Sequence, residues 1–155
     1  MLLKRVAALG AMTLLLAGTN LAISSEAQAA PGYPSSLDGW CDQGEVCFYY
    51  NSDNAGAIFD VSFNIANYGF PVGDQSYAKF VCSKLSRGDA PLCNGAGQRV
   101  WNNVASVYNN SGCDVIVYYN SNYDLSRAYQ VIPRWDWANL NSTMKNQNAS
   151  HKFLC

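Results

Sequence analysis

The chain has 155 residues, and its 10 basic and 11 acidic residues leave a formal net charge of −1 at pH 7. This balance excludes the strong positive field with which proteins attract nucleic acid or an anionic membrane surface, so neither is expected as a partner. Charged residues make up 14% of the chain, which leaves Asn, Ser and Tyr to supply most of its polar side chains.

The first 29 residues have the pattern of an export signal. Lys4 and Arg5 give a positive start, and residues 6–17 form an almost unbroken apolar run. A membrane anchor is the alternative, but a span needs roughly 20 apolar residues and Asn20 interrupts the run. The sequence therefore predicts residues 1–29 as a signal peptide and the mature protein as secreted and extracellular, with no membrane attachment after cleavage.

Cleavage after Ala29 would leave enough chain for one domain. Residues 30–39 are rich in Pro, Gly and Ser and are expected to form a flexible segment that leads into the domain. The domain itself is predicted to cover residues 40–155, and we expect it to be monomeric.

This domain is predicted to consist of short strands with almost no helix. Runs rich in β-branched and aromatic residues, bounded by Asn, Gly, Asp and Pro, predict strands at residues 46–50, 58–63, 79–81, 106–108, 115–119 and 129–132. Helical periodicity is absent, apart from one short helical turn expected at residues 135–140. Trp135 and Trp137 in this turn are expected to close one end of the core, with a binding face beside Arg134 as the alternative.

Two short motifs recur in the same order along the chain, which indicates a duplicated structural unit. Residues 46–52 return at residues 115–121, and residues 102–106 return at residues 146–150. The two units are expected to pack face to face as an all-β sandwich. The first unit carries a long insertion between its motifs, and an insertion on a rigid scaffold is a common place for function.

Six cysteines in an exported chain predict three disulfides, although six cysteines permit 15 pairings. Their spacing favours the local loops Cys41–Cys47 and Cys82–Cys93, which leaves Cys113–Cys155 as the third pair. Because pairing consumes every thiol, a catalytic cysteine is not expected, and His151 is expected to be a surface or core-edge residue. The sequence therefore predicts no enzyme, no bound metal and no cofactor.

The repeated motifs resemble those of βγ-crystallins. Residues 48–56 resemble the tyrosine-bearing first hairpin of their Greek key, and residues 102–106 and 146–150 resemble its second signature. Together with the Cys41–Cys47 loop before the hairpin, the chain is similar to the secreted bacterial peptidase inhibitors of this fold, typified by a metalloproteinase inhibitor. The resemblance implies a disulfide-stabilised double Greek-key sandwich whose partner is an extracellular peptidase.

The calcium signature of that superfold is only partly present. Asn102, Asn103 and Ser106 match it, whereas Val107 in the first copy and His151 in the second depart from it. Calcium prefers several oxygen ligands, carboxylates among them, and neither copy contains a carboxylate. Calcium binding is therefore expected to be weak or absent.

The segment closed by Cys82 and Cys93 is the predicted inhibitory loop, because a short disulfide-closed loop loses little entropy on binding. The resemblance places the reactive bond between Cys82 and Ser83. The candidate contact residues in the loop are Ser83, Lys84, Leu85, Arg87 and Leu92.

The chemistry of these residues leaves the target class open. Leu85 and Leu92 suit a thermolysin-like metalloprotease, which favours an apolar residue after the cut, whereas Lys84 and Arg87 suit a trypsin-like serine protease. The alternatives are a surface insertion closed for stability on a non-inhibitory, structural or weakly calcium-binding module, and a secreted antimicrobial or toxin protein.

Overall fold

The computed structural model describes residues 36–84 and 93–155. Within these residues the chain forms strands β1 (Glu45–Asn51), β2 (Ala55–Val61), β3 (Ser106–Asn110), β4 (Asp114–Tyr118), β5 (Tyr129–Ile132), β6 (Trp137–Asn139) and β7 (Ser150–Leu154), with a 3-10 turn at Ser121–Tyr123. The predicted signal peptide, residues 30–35 and residues 85–92 lie outside the described residues. No helix in the described ranges is long and apolar enough to cross a membrane.

Most predicted strands coincide with observed ones. Strands β1, β3, β4 and β5 overlap their predicted ranges, and β2 begins and ends earlier than predicted. The strand predicted at residues 79–81 is reduced to two isolated bridges, which join Lys79 to Arg99 and Val81 to Ile58.

The strands form two antiparallel sheets that exchange one strand position between the two units. Sheet A has the order β2-β1-β3-β6, and sheet B has the order β5-β4-β7. In each unit, the chain segment after the hairpin pairs with the sheet of the other unit. In the first unit Ile65 forms a bridge with His151 of β7, and in the second unit β6 pairs with β3. The last strand of each unit then returns beside its first, which is the Greek-key order. The predicted all-β, βγ-crystallin-like double Greek key is therefore confirmed.

The core lies between the sheets and follows the alternation of strand residues. Val46 and Phe48 of β1, Phe59 of β2, Val107 of β3 and Val117 of β4 are fully buried in it. Phe48 packs against the ring of Phe59 at a centroid distance of 6.2 Å. A smaller apolar cluster of Cys47, Tyr49 and Ile58 covers the outer face of sheet A, with Cys41, Val81 and Tyr108 packed against it.

The helical turn predicted at residues 135–140 is wrong. Residues Trp137–Asn139 form β6, which pairs with Ser106, Val107 and Tyr108 of β3. Backbone pairing with β3 outweighs the local preference, because the sheet satisfies hydrogen bonds that an isolated helical turn would leave open. The sequence also gave no prediction for β7, whose short, mixed sequence lacks a clear alternation.

Candidate functional site

The Cys82–Cys93 disulfide closes the insertion beside the outer edge of β2. Next to Cys82, Val81 and Ile58 form a bridge in which the N–H of Ile58 donates to Val81 at 2.9 Å and that of Val81 donates back at 2.8 Å. Next to Cys93, the carbonyl of Asn94 accepts the N–H of Ala57 at 2.8 Å. Both stems of the closed segment are therefore fixed to the same strand.

The stems also pair with each other. The N–H of Phe80 donates to Gln98 at 3.0 Å, and the N–H of Gly97 donates to Phe80 at 2.8 Å. Gly95 has φ of +94°, and a Cβ at this position would overlap the ring of Tyr50. Only glycine meets both conditions, so the second stem can lie flat against β1.

A segment before the first disulfide fixes the stem from the other side. Asp38 and Gly39 donate their backbone N–H groups to the carboxylate of Asp60 on β2, at 3.0 and 3.2 Å. The carbonyl of Gly39 accepts the N–H of Lys84 at 2.8 Å. Residues 36–39, assigned to the leading segment from the sequence, thus connect β2 to the closed segment.

Two buried carboxylates lie under this part of the chain. Burial raises the pKa of Asp60 to about 6 and that of Glu45 to about 7, because desolvation penalises the charged form. Glu45 accepts hydrogen bonds from the hydroxyl of Ser36 at 3.0 Å and from the N–H of Asp42 at 2.9 Å. Each carboxylate therefore holds a different part of the segment that precedes β1.

The predicted loop residues divide into described and undescribed ones. Ser83 is buried, with 1% of its surface exposed, whereas Lys84 and Cys93 are exposed. Leu85, Arg87 and Leu92 lie outside the described residues.

The six cysteines are joined as Cys41–Cys47, Cys82–Cys93 and Cys113–Cys155. The first closes the turn before β1, the second closes the insertion, and the third ties the start of β4 to the C-terminus. No cysteine in the described residues is free.

His151 is fully buried in the core between the sheets, deeper than the surface or edge position expected from the sequence. Its Nε2 lies 2.9 Å from the carbonyl of Phe63 and must donate to it, so Nδ1 accepts the hydroxyl of Tyr68 at 2.9 Å. Burial lowers the pKa of His151 to about 3. A neutral imidazole with both nitrogens occupied has no free position for acid–base catalysis.

The repeated Asn-Ser motifs occupy equivalent places in the two units. Ser106 donates to the carbonyl of Asn51 at 2.7 Å and accepts the N–H of Asn54 at 3.0 Å. Ser150 does the same in the second unit, donating to Asn120 at 2.7 Å and accepting from Tyr123 at 3.3 Å. Both hydroxyls thus close the turn of the hairpin in their own unit.

The residues of these motifs do not fit a calcium site. The Ser106 and Ser150 hydroxyls are consumed by the turns, and the ammonium of Lys145 lies 2.8 Å from the Ser52 hydroxyl at the first hairpin. Calcium requires several free oxygen ligands, and a neighbouring ammonium opposes it. Weak or absent calcium binding stays a prediction.

The paired tryptophans lie at the surface, so the expectation that they close the core is wrong. Trp135 is 50% and Trp137 is 48% exposed. On β6 it is Ala138 that packs against the core, and strand alternation then turns Trp137 outward beside Tyr108 of β3.

The sequence did not single out Asp60 or Gly39 as site residues. The one sequence feature that could have indicated them is Asp60 itself, an aspartate within the otherwise apolar run of β2. A buried carboxylate without a hydrogen-bond partner would be costly there. A partner from the preceding segment could have been expected on that ground.

Two comparisons with known proteins gave a match, and a third gave none. Residues 36–131 match the model of a family described as peptidase inhibitor family I36. A solved structure described as "Evolution of the eye lens beta-gamma-crystallin domain fold" is similar at 12% identity and a TM-score of 0.49, with 80% of this chain and 91% of that chain covered. The search of curated proteins gave no match.

The family comprises inhibitors rather than enzymes, and its partners are peptidases. The match spans more than half of the chain, and it includes β1 to β4, all but the last residue of β5, and the Cys82–Cys93 segment. This protein belongs to peptidase inhibitor family I36.

Proposed function

We propose that the protein is secreted and inhibits an extracellular peptidase by presenting the segment between Cys82 and Cys93 to the active-site cleft. One observation carries this proposal: both stems of the segment are bonded to β2, through Val81 on one side and Asn94 on the other. A segment whose ends are fixed loses less conformational entropy on docking. The segment can then bind the active-site cleft as a substrate does, while its fixed ends keep it from being released.

The contacts with the peptidase begin at Lys84. Lys84 is exposed at the end of the described stem, while the side chain of Ser83 is 1% exposed. A side chain that must enter a peptidase pocket has to be accessible, so the burial of Ser83 argues against a reactive bond between Cys82 and Ser83.

A metalloprotease is the proposed target class. Leu85 and Leu92 offer the bulky apolar side chain that a thermolysin-like enzyme accepts after the cut. Lys84 and Arg87 would instead suit the specificity pocket of a trypsin-like serine protease. Substitutions of the apolar and of the basic residues therefore distinguish the two target classes.

The decisive measurement is the inhibition constant of the purified mature protein against a thermolysin-like and a trypsin-like peptidase. Leu85→Asp should weaken inhibition of the thermolysin-like enzyme about a hundredfold, the loss typical of a hot-spot residue. The cause is the burial of a charge in an apolar pocket. Leu125→Asp is the matched control, because Leu125 is 60% exposed and belongs to the second unit. Lys84→Ala with Arg87→Ala should matter only for a trypsin-like target.

Thermal midpoints of the same variants separate lost contact from lost folding. Inhibition that survives removal of the closed segment would contradict the proposal and direct attention to Trp135 and Trp137. If the intact protein inhibits neither class, a structural module or a secreted antimicrobial protein becomes the better description.

A further inference from the structure

A chain of hydrogen bonds joins Asp60 in the scaffold to the first exposed residue of the closed segment. Asp60 is fully buried on β2. Its carboxylate accepts the N–H groups of Asp38 at 3.0 Å and Gly39 at 3.2 Å. The carbonyl of Gly39 accepts the N–H of Lys84 at 2.8 Å. A single residue, Gly39, thus connects the carboxylate to the backbone of the inhibitory segment, with its N–H bonded to Asp60 and its C=O bonded to Lys84.

We infer that Asp60 is a positioning residue of the inhibitory segment and acts through Gly39 on the backbone of Lys84. The inference rests on the proposed inhibitory function for its biological meaning. In this role Asp60 does not touch the peptidase, but it sets the direction in which the stem of the closed segment leaves the scaffold.

The middle of this chain of bonds is sterically confined. Gly39 has φ of +90°, and a Cβ on it would lie 2.5 Å from the carbonyl oxygen of Cys82. The backbone of residue 39 can therefore lie against the stem only if the residue is glycine. Its N–H is buried next to Asp60. An asparagine at position 60 has one acceptor oxygen instead of two, so one of the two N–H groups that the carboxylate binds would lose its acceptor, which is costly.

Glu45 provides a matched control. It is likewise fully buried and likewise holds the segment before β1, through Ser36 and Asp42. None of its hydrogen bonds in the described structure reaches Cys82, Ser83 or Lys84. Asp60→Asn and Glu45→Gln both remove one buried carboxylate, so a difference between them reports the connection to Lys84.

The first experiment measures amide hydrogen exchange of Lys84 by NMR in the mature wild-type protein and both variants. Asp60→Asn should accelerate exchange at Lys84 about tenfold more than Glu45→Gln, as expected for one weakened hydrogen bond. Exchange at Val117 in β4 should respond equally in the two variants, since it reports only general stability. Equal acceleration at Lys84 would overturn the inference.

A second variant keeps the test decisive if Asp60→Asn does not fold. Gly39→Ala interrupts the same connection in its middle and leaves Asp60 in place. Exchange at Lys84 should rise as in Asp60→Asn, and unchanged exchange would overturn the inference.

The link to inhibition is tested by the rate at which the inhibited peptidase hydrolyses the segment at saturation. Asp60→Asn should be cut about tenfold faster than Glu45→Gln, because a loosened stem lets the cut ends separate. Equal rates would overturn the positioning role in inhibition. If the wild-type protein inhibits neither peptidase class, the proposed function fails, and the exchange data alone decide whether Asp60 fixes Lys84.

Discussion

At the scale of single residues, burial shifts the pKa values of His151, Asp60 and Glu45 toward their uncharged forms. Burial lowers the pKa of His151 to about 3 and raises those of Asp60 and Glu45 to about 6 and 7. Their effects on stability have opposite signs. Acid costs stability through His151, because the unfolded state binds a proton that the folded state refuses, whereas alkali costs stability through the two carboxylates.

The imidazole of His151 should not titrate in the range from pH 5 to pH 8, where an unperturbed histidine changes charge. Protonation would leave the bond from Nε2 to the Phe63 carbonyl in place, but Nδ1 could no longer accept the hydroxyl proton of Tyr68 in the core. NMR of the ring protons against pH measures this directly. A midpoint near 6.5 would show that the ring reaches solvent.

Glu45→Gln should make the stability of the protein less dependent on pH. The folded pKa of Glu45, about 7, lies above its unfolded value of about 4.3. Its contribution is therefore fully present below about pH 4.3 and is lost as pH rises through about 7. Between pH 5 and pH 8 the variant should gain on the order of 3 kcal/mol relative to wild type. Urea unfolding at each pH measures the difference, and a curve for Glu45→Gln as steep as that of the wild-type protein would contradict the prediction.

At the scale of elements, each hairpin depends on a serine from the last part of its own unit. Ser106 and Ser150 both donate to and accept from their hairpin turn. The duplication seen in the sequence is therefore a duplicated hydrogen-bond arrangement, which gives a physical reason for the repeated order of the two motifs.

Ser106→Ala and Ser150→Ala should each lower the free energy of unfolding by roughly 1 kcal/mol, because each leaves a partly buried donor and a partly buried acceptor unpaired. Ser142→Ala, at an exposed position, is the control and should change little. Denaturant unfolding compares the three. A neutral Ser150→Ala would mean that the second hairpin holds its turn without the serine.

Strand β6 forms because it pairs with a distant strand, and not because of its local sequence. Its pairing with β3 places Ala138 inward and Trp137 outward. The side chain of Gln130 on β5 further binds the chain beside β6, donating to Asn139 at 3.2 Å and accepting from Asn141 at 2.9 Å.

Trp137→Ala should therefore lower the free energy of unfolding by less than about 1 kcal/mol, as is usual at the surface. Phe48→Ala in the core should cost about 3–5 kcal/mol. Chemical denaturation of the two variants provides the comparison. A cost for Trp137→Ala close to that of Phe48→Ala would restore the view that this tryptophan closes the core.

At the scale of the whole molecule, the disulfides brace the sandwich at different ranges. Cys41–Cys47 spans a sequence separation of 6, and Cys113–Cys155 spans 42. The longer bridge closes the entire second unit, from the start of β4 to the C-terminus. It should therefore restrict the unfolded chain more strongly.

Replacing Cys113 and Cys155 by Ser should cost about 4 kcal/mol, against about 2 kcal/mol for Cys41 and Cys47, on the chain-entropy relation. Unfolding of the two double variants measures the order. Non-reducing peptide mapping of the wild-type protein provides the check on pairing. A link between Cys82 and Cys113 would remove the basis of the closed segment.

The all-β class, the duplication and most strands could be predicted from the amino-acid sequence alone. These follow from local causes: alternation in β1 and β4, turn residues between them, and two motifs repeated in order. The resemblance pointed to the inhibitor family and to the closed segment, since cysteine spacing and loop chemistry are visible in one dimension.

Three features could not be predicted in this way: the exchange of strand positions between the sheets, the existence of β6 and β7, and the exposure of Trp137. Each depends on pairing or packing with residues far away in the chain, where local propensity has no information. The same holds for Asp60, whose role exists only because Gly39 and Lys84 meet beside β2. Sequence motifs indicated which segment could act, and long-range hydrogen bonds decided how that segment is held.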